Sequence, residues 1–167
     1  MKGAKNTEVF VGLVINSEKV KESDLRVRLL CQDELKTFTL QGAQKANAKL
    51  KSAAQLFTLA EFSAIGHKII GAHVLTTNHA ITKDIKRYYL ACAICEVISK
   101  CRGAGFMLTI DAFEKLSIGE SVRDVYTQYF TALLHELGYG IESTQTINHA
   151  YLMHLDIKIP NTKEFLQ

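Results

Sequence analysis

An α+β chain, with a small closed β-barrel of the OB type leading into an all-helical domain, is what three observations predict. Short β-rich runs with alternating apolar residues fill the first half. Near Thr82 the apolar period lengthens from two to about three and a half. No strand–helix alternation is present, which argues against parallel α/β enzyme folds and sets the expected domains at residues 1–80 and 81–167. The 167 residues are 47% hydrophobic and 22% charged, enough to build a packed core, and with Pro160 as the single proline and no Gly/Ser-rich linker the two domains should abut.

Glu8-Val9-Phe10-Val11-Gly12-Leu13-Val14-Ile15 predicts the first strand, bounded by the polar Asn16-Ser17-Glu18-Lys19. From Asp24 to Leu30 the pattern alternates: Leu25, Val27 and Leu29 point one way, Arg26 and Arg28 the other, so this strand has a basic outer face. Lys36 to Leu40 alternates as well and ends at Gln41-Gly42. Ala43 to Ser52 is polar and basic, a loop or a short helix, and two further strand candidates follow at Leu56–Phe62 and Lys68–Thr76. Five short strands with a connection after the third fit an OB barrel, although periodicity alone fits an SH3-like barrel or a small sandwich equally.

Ile85 to Cys101 is a helix apolar on most sides, hence central, and Arg102-Gly103-Ala104-Gly105 stops it. A short helix is expected over Asp111 to Leu116. Ser121 with Asp124 makes a capping-box-like start to the clearest helix, in which Val122, Val125, Tyr126, Tyr129, Phe130, Leu133, Leu134 and Leu137 recur at helical spacing before Gly138. That stripe should bury against the helix from Ile85. Asn148 to Leu155 is compatible with a helical turn and Asp156 to Ile159 with a strand.

No apolar run is long enough to span a membrane, and Met1-Lys2-Gly3-Ala4-Lys5-Asn6 leads into a strand rather than a signal-peptide core. Three cysteines, Cys92, Cys95 and Cys101, share one apolar helix, which suits a reducing compartment; a cytoplasmic protein is expected. Enzyme signatures fail: His135-Glu136 lacks the second histidine of H-E-x-x-H, Gly103 and Gly105 lack the third glycine of a dinucleotide fingerprint, and no phosphate-binding loop or nucleophile elbow occurs. No catalytic residue is expected. Cys92-Ala93-Ile94-Cys95 has chelating spacing but no second pair, and within an apolar helix it reads as core packing, with neither metal nor cofactor. His67, His73 and His79 read as partly exposed barrel histidines, and His149 and His154 are not spaced as a helical ligand pair. Glu96 must either leave the bundle or pair with a cation such as Arg123 or Arg87.

The basic residues are the functional candidates. Residues 1–80 hold eleven Lys/Arg against seven Asp/Glu, whereas residues 81–167 hold nine against ten. Arg26 and Arg28 leave one strand face, Lys36 opens the next strand, and Lys45, Lys49 and Lys51 follow Gly42. Several cations along one surface are what a polyphosphate chain requires. Phe38 and Phe57 are near enough in sequence to stack bases, but phenylalanines of small barrels are more often core.

The order of segments resembles the RecO family of bacterial DNA repair and recombination mediators. An apolar strand, Val11-Gly12-Leu13-Val14-Ile15, precedes Lys21-Glu22-Ser23-Asp24 and the strand to Leu30; Gly42-Ala43-Gln44-Lys45 is similar to the family's basic "G-A-R-K" segment. Tyr88-Tyr89-Leu90-Ala91 to Glu96, and Leu133-Leu134-His135-Glu136-Leu137-Gly138-Tyr139, resemble its helical domain. The resemblance implies a non-catalytic protein that binds single- and double-stranded DNA, anneals complementary strands and, with RecR, helps RecA replace single-stranded-DNA-binding protein (SSB). It further implies a helical half that meets protein partners, with Lys83, Lys86 and Arg87 placed to receive the acidic SSB tail. Two departures stand out: no cysteine follows Cys101, so the family's zinc cluster is not expected, and the chain is short, so the C-terminal part is reduced or missing. The competing expectations are a protein-binding adaptor without DNA affinity and, third, a cysteine- or metal-dependent enzyme.

Overall fold

The computed structural model describes residues 6–32, 34–45 and 50–138, which form two compact units parting between Thr77 and Asn78. In the first unit, strands β1 (Glu8–Lys19), β2 (Leu25–Leu30), β3 (Leu35–Leu40), β4 (Leu59–Ile65) and β5 (Lys68–Thr76) close a barrel in the order β1-β2-β3-β5-β4. β1 pairs with β4 through Glu8–Leu13 and with β2 through Leu13–Lys19, all antiparallel. Two parallel rungs, Thr39 opposite Lys68 and Leu40 opposite Ile69, join β3 to β5 and shut the cylinder. This is the OB arrangement, chosen by the β3–β5 closure from the alternatives that periodicity leaves open.

β1 runs four residues past its apolar stretch, because its ladder with β2 carries the polar Asn16–Lys19 and an irregularity between Val14 and Asn16 bends the strand from one partner to the other. Gly12 faces inward at that crossing, where a side-chain carbon would stand 3.2 Å from Leu29 Cβ. Inward residues Val14, Val27, Leu29, Phe38, Leu40, Phe62 and Ile69 form the core, with Phe10 stacked on Phe38 at a ring separation of 5.1 Å. The expected strand from Leu56 starts only at Leu59. Before it, Phe57 adopts φ 66° and buries its ring, its N–H donating to Val14 O while Val14 N–H donates to Thr58 O, both at 2.9 Å. Burial of the ring offsets the cost of a left-handed backbone there. Within Ala43–Ser52 and its neighbour Ala53 the chain makes one helical turn, α1 (Leu50–Ala53), packed on β5.

The second unit holds a 3-10 turn (His79–Lys83) and helices α2 (Ile85–Lys100), α3 (Phe106–Ile118) and α4 (Val122–Glu136). Asp84 caps α2 by accepting Arg87 N–H at 2.9 Å, and Ser121 Oγ caps α4 by accepting Asp124 N–H at 3.4 Å. Gly138 follows α4 with a left-handed φ of 87°. α3 begins five residues before the expected Asp111. Gly105, at φ 77°, precedes it, and the Gly105 N–H donates to the Glu136 carboxylate at 3.0 Å, a contact supplied by α4 and invisible locally. The α4 stripe packs on α2 as expected and more extensively on α3, a second partner the sequence did not indicate. Glu96 leaves the bundle and forms an ion pair with Lys100 at 3.8 Å, rather than with Arg123 or Arg87. Among the described residues no helix is long and apolar enough to cross a membrane. The tail segments from Asn148 and from Asp156, with His149 and His154, lie outside the described residues.

Candidate nucleic-acid interface

β2 alternates as the sequence requires: Val27 and Leu29 are buried while Arg26 and Arg28 stand on the outer face of the barrel. Register then decides their neighbours. One row across the sheet runs Glu18 on β1, Arg26 on β2, Thr39 on β3 and Lys68 on β5; the next runs Asn16, Arg28 and Thr37. Lys68 is a cation of this face that sequence reasoning missed, because it reaches β3 only through the parallel closure and nothing near it in sequence signals that pairing. Strand spacing puts Arg26 and Lys68 on the order of 10 Å apart and Arg26 and Arg28 about 7 Å apart. Arg26 and Arg28 therefore lie within one Debye length at physiological salt, about 8 Å, and Lys68 lies just beyond one from Arg26. Within the first row Glu18 Oε1 meets Arg26 Nη1 at 3.2 Å, both side chains about half exposed.

The Gly42 segment joins this face through Asp24. Asp24 Oδ1 accepts the Gly42 N–H at 2.9 Å, Gln44 Nε2 donates to Asp24 O at 3.2 Å, and Gln44 N donates to Ser23 O at 3.1 Å. Gly42 takes φ 65°, and Lys45 N–H closes the turn on Gly42 O at 3.2 Å. Two of the sequence segments that carry the family resemblance are thus bonded to one another, and Lys45 emerges, exposed, beside the residues leading into Arg26. Lys51 is exposed on α1, which packs on β5 rather than on the β2–β3 side. Lys49 lies outside the described residues.

Lys36 is placed differently. It pairs with the inward Leu29, so its side chain enters the barrel mouth, where Nζ bonds Glu8, meets Glu34 at 3.2 Å and stands 4.9 Å from the centre of the Phe10 ring. The hydrogen bond to Glu8, reinforced by Glu34, holds its pKa above the ordinary lysine value. Beside it, where β3 has parted from β5, opens a cleft of about 620 Å³ lined by Glu8, Lys36, Thr37, Phe38, Thr39 and His67 among others. Phe38 and Phe57 are core residues, and the described residues of the Arg26 face include no aromatic ring.

In the second unit Lys83 and Lys86 are exposed. Arg87 is half-buried, its guanidinium lying against Gly119 at the end of α3, where the carbonyl end of the helix favours a cation. The four cysteines are free thiols; Cys92, Cys95 and Cys101 pack in and after α2, and burial raises the pKa of each.

No family model matches the chain. Over 128 residues it is 30% identical to the DNA repair protein RecO of Leuconostoc mesenteroides subsp. mesenteroides, a match covering 75% of this chain and 46% of that protein. The chain thus spans about half the length of this curated relative.

Proposed function

We propose that this chain, RecO-like in sequence and in its barrel-then-helices order, is a non-catalytic DNA-binding mediator of repair and recombination. Residues 1–80 are the DNA-binding domain and residues 81–167 the domain for protein contacts. The observation that carries this reading is the register-built row of Arg26 and Lys68, with Arg28 beside it, on the outer face of an OB barrel. Such a face neutralises phosphates without reading bases, because it offers cations and threonine hydroxyls but no stacking ring. Single and double strands therefore both suit it. Neutralising two strands at once lowers their repulsion and lets complementary strands anneal without a chemical step. The same reading assigns RecR, the SSB tail and, indirectly, RecA as partners in the cytoplasm, with Lys83 and Lys86 receiving the acidic tail.

A salt titration of a fluorescent single-stranded oligonucleotide tests it: affinity must fall steeply with salt and weaken in Arg26→Gln and Arg28→Gln. Salt-insensitive binding, or variants that bind like the parent, would refute the DNA assignment. One observation favours the adaptor reading instead: Arg26 and Lys36 are already engaged by Glu18 and by Glu8 and Glu34. That reading expects retention on immobilised SSB or RecR with no measurable DNA affinity.

A further inference from the structure

Among the described strand residues of the Arg26 face, Glu18 alone is negatively charged. It stands directly across the ladder from Arg26 with its carboxylate 3.2 Å from the guanidinium. We infer that Glu18 is a built-in competitor for phosphate: it occupies Arg26 when no nucleic acid is bound and sets both the affinity and the salt dependence of the face. The inference rests on the DNA-binding reading above.

Three features carry it. The pair is about half exposed on both sides, so solvent screens it and a stronger anion can open it. The competing anion is local, because cross-strand register fixes Glu18 opposite Arg26 whatever the rest of the surface carries. Finally, the remaining cations of the face, Arg28 and Lys68, have no ion pair among the described residues, so Glu18 singles out Arg26. A phosphate approaching this face meets two free cations and one that it must first release from a carboxylate. Whether it displaces Glu18 or leaves the pair intact, fewer counterions are released than three separate cations would give.

The test uses the full chain, a fluorescein-labelled oligothymidine and a salt series. Glu18→Gln keeps the shape of the side chain and removes its charge. It should tighten binding about twofold to fivefold at low salt, the range an exposed ion pair is worth. The log–log salt slope should steepen by about 0.7, one extra phosphate contact on a single strand. Glu61→Gln is the control: Glu61 is exposed on β4 opposite Val11 and His73, away from the face, and its loss should leave binding unchanged. In an Arg26→Gln background, Glu18→Gln should bring no gain. Equal tightening by Glu18→Gln and Glu61→Gln would reduce the effect to overall charge and overturn the inference, as would no change in Glu18→Gln or a full gain without Arg26. A parent chain with no DNA affinity that Glu18→Gln does not restore would sink the DNA-binding reading itself, and Glu18's role with it.

Discussion

Lys68→Gln probes the closure of the barrel and the proposed DNA face together, since Lys68 reaches that face only through its rung with Thr39. Four cations stand on or beside the face: Arg26, Arg28, Lys68 and, through the Asp24–Gly42 bond, Lys45. With each contributing one phosphate contact, the salt slope on single-stranded DNA is about −2.8, at about 0.7 per contact, and raising salt from about 50 to about 200 mM weakens binding roughly fiftyfold. Glu18 lowers this ceiling by up to one contact. Lys68→Gln should reduce the slope by about 0.7, so that the same salt step costs roughly eighteenfold from that ceiling. Combining Arg26→Gln, Arg28→Gln and Lys68→Gln leaves Lys45 alone, and the step should fall below about threefold. Fluorescence anisotropy over a salt series reads all three slopes, and a thermal melt checks the fold, which an exposed lysine should scarcely affect. A Lys68→Gln slope equal to the parent's, alongside a reduced slope in Arg26→Gln, would break the claim that register delivers Lys68 to the interface.

Asp24→Ala deprives Gly42 N–H of its acceptor and should cost about 1 kcal/mol, with weaker DNA binding through Lys45, whereas Asp24→Asn keeps an acceptor and should retain most of both; equal losses in the two variants, by thermal melt and anisotropy, would refute the positioning role. Glu136→Ala removes the carboxylate at the start of α3 and should lower stability by about 1–2 kcal/mol. Hydrogen exchange should then quicken first between Gly105 and Thr109, and uniform acceleration across the helices would contradict a local cap. Cys31, whose thiol pKa burial pushes up from 9.0 to about 11, should at pH 8 be about a thousandth ionised instead of about a tenth, and so react with iodoacetamide roughly a hundredfold more slowly than an exposed thiol. The raised value also means that this stabilising difference is present below pH 9 and is lost as pH rises towards 11. Rapid site-resolved labelling of the folded chain would refute the burial.

Elements whose pattern is local were legible in the sequence. The alternation of Leu25, Val27 and Leu29 against Arg26 and Arg28, the Ser121 cap and the repeating stripe of α4 are each decided by neighbours within a few residues, and the structure has all three. What escaped depends on distant partners. The polar end of β1 is strand only because β2 supplies its ladder, α3 starts early because Glu136 reaches Gly105, and Phe57 leaves the strand path to fill the core. The candidate site divides in the same way. Arg26 and Arg28 could be placed from parity alone. The sequence puts Lys36 at the opening of a strand without showing its side, and its pairing with Leu29 turns it into the barrel mouth and onto two carboxylates.

The Asp24–Gly42 bond explains why separated segments can carry one resemblance. A turn ending in Asp24 and a glycine turn before Lys45 are eighteen residues apart in sequence but share a hydrogen bond, so neither is free to vary in shape without the other. The bond fixes the basic turn to the strand that bears Arg26 and Arg28, and the parallel rung at Thr39 brings Lys68 to the opposite side of that strand pair. Cations from three parts of the chain are thus set by backbone geometry rather than by flexible side-chain choice. On the proposed DNA-binding reading this arrangement fixes the spacing of charge while the flexible stems of Arg28, Lys45 and Lys68 let their charged ends follow the phosphates.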